Sequence, residues 1–136
     1  MTKTELLEII RNGENSGVEF KRDDIQPRDF AEGLVELTNL EGGCILLGVE
    51  NDGRVSGLTT SPEDQAKYAK LKEKDPDAAI DVRKITIDRV EGWVMNVARD
   101  KIRPEIIQYF ETIRDVELGK DVAVISVQRE IGRAHV

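Results

Sequence analysis

Three rhythms of apolar and polar positions run along this chain. Leu6, Leu7, Ile9 and Ile10 follow Thr4 and are broken by Glu8, which predicts a short capped helix ending near Asn12-Gly13. Glu14 to Gly17 has no period and reads as a loop. Val18-Glu19-Phe20-Lys21 alternates apolar with charged residues, as a half-buried strand does. Pro27 opens a second helix, in which Phe30, Leu34, Leu37 and Leu40, helped by Ala31 and Val35, form an apolar stripe; Gly42-Gly43 ends it. Cys44 to Val49 is apolar on both sides and predicts a central strand. Asn51-Asp52-Gly53-Arg54 is a hairpin signal, with Val55 to Leu58 returning as a short strand.

The second half reads less cleanly. Ser61-Pro62 opens a Lys/Glu-rich, exposed helix through Lys74, broken by Asp75-Pro76-Asp77. Residues 80–102 satisfy two periods. Ile80, Val82, Ile85 and Ile87 include strand-like pairs, while Ile87, Val90, Val94, Ala98 and Ile102 fit a helix, and the helix over about 85–101 is the favoured reading. Ile106 to Val116 predicts a strand, Glu117 to Lys120 a turn, and Val122 to Val127 a second apolar strand. The sum is an α+β domain with a mixed β-sheet flanked by helices. The chain has 136 residues, which suits a single domain, and no internal repeat or linker divides it.

Composition narrows the function. Hydrophobic residues make up 39% and aromatics only 4%, so the core is mostly aliphatic. A formal charge of −7 excludes a uniformly basic protein that coats nucleic acid, but not a local basic groove. Residues 1–60 carry 6 Lys/Arg against 12 Asp/Glu, a bias that suits divalent cations better than bare phosphate. One cysteine, Cys44, and one histidine, His135, preclude an internal disulfide and a Cys/His zinc site. Cys44 fits a reducing, cytoplasmic setting. No membrane span or secretory signal is visible, so no membrane partner is expected, and neither is haem, flavin or zinc. The absence of G-x4-G-K-[ST] leaves P-loop ATP binding unsupported. Glu130 to Val136, EIGRAHV, resembles the conceptual translation of a sequencing adapter. Residues 1–129 are therefore expected to be one domain, truncated at its C-terminus, and 130–136 a non-native tail. Without His135, catalysis has carboxylates, lysine, hydroxyls or a metal to draw on.

Strand geometry turns the first half into a chemical hypothesis. Residues two apart on a strand share a face, roughly 6.5–7 Å apart, so Glu19 and Lys21 project together while Val18 and Phe20 pack behind. Glu14 can fold back from the loop, and Asp52 sits at the tip of the next turn. If Glu14, Glu19 and Asp52 converge, they make an oxygen site for Mg²⁺ or Mn²⁺, with Lys21 beside it to hold a phosphate. The plainer alternative is a surface Glu19–Lys21 ion pair worth at most about 1 kcal/mol, with Asp52 a turn former.

Taken in order, Glu14, Glu19-Phe20-Lys21, Asn39-Leu40-Glu41-Gly42-Gly43, Gly48-Val49 and Asp52 to Leu58 resemble the Schlafen AlbA-type domain. The resemblance is tight over residues 14–58 and loose over 59–129, where Arg103-Pro104 before a strand hairpin also fits. It implies a nucleic-acid-associated domain of bacterial transcriptional regulators, related to the Schlafen core and often described as ATP-binding. By the same resemblance, the carboxylates matching those of RNA-cutting relatives are Glu14, Glu19 and Asp52. Lys21, Arg22, Arg28 and Arg54 lie near the motif and are the expected contacts to DNA or RNA. Three functions follow: a nucleic-acid-binding module of a transcription regulator, a Mg/Mn-dependent endoribonuclease, and a protein-interaction or homodimerisation module using an exposed Val122 to Val127 edge.

Overall fold

The structure, a computed structural model, describes residues 1–130 and 134–136. Four helices and four strands follow one another as α1 (Lys3–Asn12), β1 (Val18–Lys21), α2 (Pro27–Asn39), β2 (Gly42–Leu47), α3 (Pro62–Lys74), α4 (Val82–Lys101), β3 (Gln108–Glu117) and β4 (Lys120–Gln128). The sheet order is β1-β2-β4-β3. β1 and β2 are parallel, joined by the crossover helix α2, and the remaining pairs are antiparallel. The expected mixed α+β sheet is therefore the observed one.

The alternation within β2 divides the core in two. Ile45 and Leu47 join Phe30, Leu34 and Leu37 of α2, Val94 and Ala98 of α4, and Ile125 of β4. Leu46 and Cys44 face the other way, onto Leu6 of α1, Phe20, Val122 and Val124. Each fully buried aliphatic or aromatic side chain of these layers contributes roughly 1.5–3 kcal/mol. A strand apolar on both sides needs cover on both sides, and β2 has it. Gly43 has a separate job. A Cβ there would strike the carbonyl oxygen of Gly17, the group that accepts the Cys44 amide at 2.9 Å. Only glycine lets the two parallel strands start this close.

Several boundaries differ from the sequence reading, each for a local reason. α4 begins at Val82, because Asp81 caps it by accepting the Lys84 amide at 2.8 Å. Residues 55–58 form no strand: Val55 makes an isolated bridge to Val49, and the chain then passes across the end of β4, where the Leu58 amide donates to Asp121 O. Val122 to Val127 is not an edge. β4 lies between β2 and β3 and is buried, which corrects the exposed edge expected there; the outer strands are β1 and β3. Of the expected tail, residues 131–133 lie outside the described residues. Asn39 clasps Ala134 through both its amide and carbonyl groups at 2.9 and 3.1 Å. No helix is long and apolar enough to cross a membrane among the described residues.

Candidate functional site

A cleft of about 450 Å³ opens between β1 and α2, lined by Glu19, Lys21 and Arg22 on one side and by Asp29, Glu32, Gly33 and Glu36 on the other. β1 builds one wall by simple alternation. Phe20 is 1% exposed and anchors the strand in the α1 layer, so Glu19 and Lys21 must point to the opposite face. Helix periodicity builds the other wall. Phe30, Leu34 and Leu37 take α2 into the core, which leaves Asp29, Glu32 and Glu36 on its outward face.

Gly33 shapes the meeting point. A Cβ at this position would lie 2.8 Å from Glu19 Oε2 and 3.2 Å from Ile45 Cδ1. Glycine inside a helix costs about 1 kcal/mol relative to alanine, and here it leaves room for the Glu19 carboxylate. Burial pushes the Glu19 carboxyl above its ordinary value, Lys21 opposes that shift, and Glu36 and Glu14 add to it. Glu19 therefore sits in a field of two carboxylates and one ammonium. No carboxylate among the described residues lies within ion-pair distance of Lys21, so the plain Glu19–Lys21 salt bridge is not formed.

The other expected site residues are placed as follows. Glu14 folds back to β1, as the spacing predicts, but its carboxylate accepts the Phe20 amide at 2.7 Å and does not line the cleft. Asp52 forms the turn: its Oδ1 accepts the Arg54 amide at 3.0 Å. Glu14, Glu19 and Asp52 thus do not gather as a preformed ion cage. Among the described residues, no group of three or more Asp, Glu, His or Cys side chains is placed to hold a metal. The donor set expected for Mg²⁺ or Mn²⁺ does not fit such an ion in this arrangement.

Of the expected cationic residues, Lys21 and Arg22 line the cleft, while Arg28 and Arg54 lie outside its lining and connect to it through ion pairs. Arg22 and Arg54 both reach Glu50 Oε1, at 3.5 and 3.4 Å, and Arg22 also meets Asp24 at 3.3 Å. Arg28 pairs with Glu32 at 3.1 Å. A phosphate contact at any of these three arginines must exchange with a carboxylate. The acidic wall of α2 was not anticipated, although its signal was legible: Asp29, Glu32 and Glu36 recur at helical spacing between the core positions.

The Schlafen, AlbA_2 family model matches residues 14–131. No curated protein matches the chain in sequence. Among solved structures, the N-terminal domain of an ATP-dependent DNA helicase RecG-related protein from Nitrosomonas europaea is similar, with a TM-score of 0.61 and 20% identity over 95% of this chain and 74% of that one. DIP2311 from Corynebacterium diphtheriae is similar with a TM-score of 0.50 and 14% identity; the match covers 96% of this chain and 22% of that one. Both likenesses concern the fold. The family match takes in β1 and α2, whose residues form both walls of the cleft, and on that match the chain belongs to the Schlafen AlbA_2 family.

Proposed function

We propose that this domain binds nucleic acid, DNA or RNA, as a module of a transcriptional regulator, with the rim of the β1–α2 cleft as its contact surface. The observation that carries the reading is that Lys21 and Arg22 line one cleft, Arg54 shares Glu50 with Arg22, and Arg28 pairs with the lining Glu32, in a family member whose overall charge is acidic. The similar domain from a protein described as RecG-related supports it. The chemistry sets its character. Three of the four cations already hold carboxylates, so phosphate binding exchanges one anion for another and is weak and salt-sensitive. Four phosphate contacts correspond to a log–log salt slope of about −3 to −4.

Fluorescence anisotropy with a labelled RNA hairpin and a DNA duplex, titrated at low and moderate salt, tests this. Binding at low salt that weakens steeply with added salt is the expected result, with Arg22→Gln/Arg54→Gln weaker at every salt concentration. Absence of binding to either at low salt would overturn it. Cleavage by the Glu19 region is a second reading, favoured by the Glu19 carboxylate standing half-buried beside Lys21. Incubating the same RNA with Mg²⁺ or Mn²⁺ tests it: products that vanish in Glu19→Ala support cleavage, and unchanged RNA removes it.

A further inference from the structure

α3 is an unusual helix for a domain with this core. Its only buried residue is Asp64, and no apolar side chain of α3 is fully buried. It is fixed at its start by polar bonds. The Asp64 amide donates to Ser61 Oγ at 3.1 Å, the Ser61 amide returns a bond to Asp64 Oδ2 at 2.9 Å, and Arg89 of α4 holds Asp64 Oδ1 at 2.9 Å. Beyond that first turn, Lys67, Lys70 and Lys74 are all exposed. At 3.6 residues per turn they fall within an arc of about 60° and span about 10 Å of helix axis.

Their pairing sets them apart from the arginines near the cleft. Arg22, Arg28 and Arg54 each hold a carboxylate, whereas none among the described residues comes within 4 Å of Lys67, Lys70 or Lys74. Lys72, the fourth lysine, is occupied with backbone: it donates to Ala78 O at 2.7 Å and Pro76 O at 3.4 Å. Placement links the stripe to the cleft. The Thr59 amide donates to Asp23, next to Arg22, at 2.5 Å, and Arg89 bridges the Thr59 carbonyl to Asp64 of α3. The helix therefore leads away from the same corner of the molecule that carries the rim.

We propose that the exposed Lys67–Lys70–Lys74 face of α3 is a second docking surface for the phosphate backbone of nucleic acid, extending the contact beyond the cleft rim. The proposal rests on the nucleic-acid reading above and adds a surface of cations that hold no carboxylate. Lysine on a flexible stem acts as a point charge for phosphate and carries no base readout, so this surface raises affinity for any sequence equally. The rim arginines lose their existing carboxylate partners on binding, while these lysines surrender only water and counterions.

The experiment compares the whole chain with Lys67→Gln/Lys70→Gln/Lys74→Gln, with the same three positions changed to Arg, and with Arg22→Gln/Arg54→Gln. Anisotropy is read with a labelled RNA hairpin and a DNA duplex between about 20 and 200 mM salt, and circular dichroism reports whether α3 survives. The glutamine variant should bind about tenfold or more weakly at low salt, with its log–log slope reduced by about two to three units, while the arginine version keeps wild-type affinity and slope. A wild-type slope in the glutamine variant, with the Arg22/Arg54 variant still weakened, overturns the α3 surface and leaves the nucleic-acid function standing. Equal loss in the glutamine and arginine versions also overturns it, because the lysines then act through folding. A wild-type chain that binds neither nucleic acid removes both ideas. Should that chain instead sediment with anionic phosphatidylserine vesicles in a lysine-dependent way, the stripe belongs to a membrane surface and the proposal is overturned.

Discussion

α2 and α3 have the same length, thirteen residues, and each carries a proline in its first turn, yet opposite forces hold them. α2 lacks a side-chain N-cap and contains an internal glycine, but Phe30, Ala31, Leu34 and Leu37 are all buried. α3 buries a single carboxylate and relies on a complete capping box and the Asp64–Arg89 pair. Burial fixes a helix in position and tolerates locally unfavourable residues, so α2 can present a Gly33 notch and an acidic wall at a defined distance from β1. A helix secured at one end by polar bonds tolerates exposed charge along its length, and α3 carries three unpaired lysines. The shaped cleft and the unshaped charged face thus sit on helices with different sources of stability.

The largest effect should come from breaking the packing. Leu34 has no exposed surface and touches both the sheet and α4 through its cluster. Leu34→Ala should cost about 2–5 kcal/mol in urea unfolding, with amides of α2 and α3 losing protection together. A loss below about 1 kcal/mol would mean that α2 is not held by its core face. Asp64 is the matching probe of α3. It is 3% exposed; burial opposes its ionisation, but hydrogen bonds from Arg89, Ser61 and Thr86 and the Arg89 charge outweigh that and bring it from 3.8 to about 2. A depressed carboxyl adds stability above its unfolded value and loses it as pH falls through the folded one, so this contribution drains between about pH 4 and pH 2. Asp64→Asn should cost about 2 kcal/mol at pH 7 and almost nothing near pH 2, with exchange rising in α3 before α2. Uniform exchange across both helices would erase the contrast between them.

How much of this was legible in the sequence depended on what holds each part. The β1 alternation, the α2 stripe and the two-sided apolar run of β2 are periodic because they bury apolar surface, and period is what a sequence displays. The cleft position of Glu19 and Lys21 followed from that alternation. Asp52 and Glu14 misled, because Asp and Glu serve both as ligands and as partners for backbone amides, and one-dimensional spacing does not separate the roles: Asp52 accepts the Arg54 amide and Glu14 the Phe20 amide. The start of α4 was hidden for the same reason, since Asp81 works through a hydrogen bond that leaves no apolar trace. The acidic wall of α2 has a period too, but its apolar counterpart is the stronger signal. The buried site of Val122 to Val127 depended on β3 pairing outside it, a long-range fact that no local pattern contains.

A finer test addresses why α2 keeps a glycine. Gly33→Ala gains about 1 kcal/mol of helix propensity, but its methyl group would crowd Glu19 Oε2 at 2.8 Å and Ile45 Cδ1 at 3.2 Å. In the wild-type background the two effects should nearly cancel while Glu19 is displaced. In a Glu19→Ala background the crowding oxygen is gone and most of the gain should appear. The double-mutant cycle therefore predicts a coupling of about 0.5–1 kcal/mol between positions 33 and 19. Additive behaviour would show that Gly33 serves the helix and not the carboxylate.

Glu19 itself should give the smallest stability change and the clearest sign. Its carboxyl is raised above 4.5 by burial first, with Glu36 and Glu14 adding and Lys21 opposing. A raised acid contributes stability that is full below its unfolded value and is lost as pH rises through its folded value, so at pH 7 the ionised Glu19 is a burden on the fold. Glu19→Gln should therefore be more stable than wild type at pH 7 by a fraction of a kcal/mol, limited by partial exposure, and the difference should close near pH 4. Thermal melts across that range read it directly. A carboxylate that costs the fold stability, in a cleft shaped by a helix glycine, is the trade-off expected if Glu19 has the role proposed above. A Glu19→Gln variant less stable than wild type at pH 7 would put Glu19 in the same class as Asp64, a carboxylate kept for structure, and the contrast between the shaped cleft and the charged helix would lose its chemical centre.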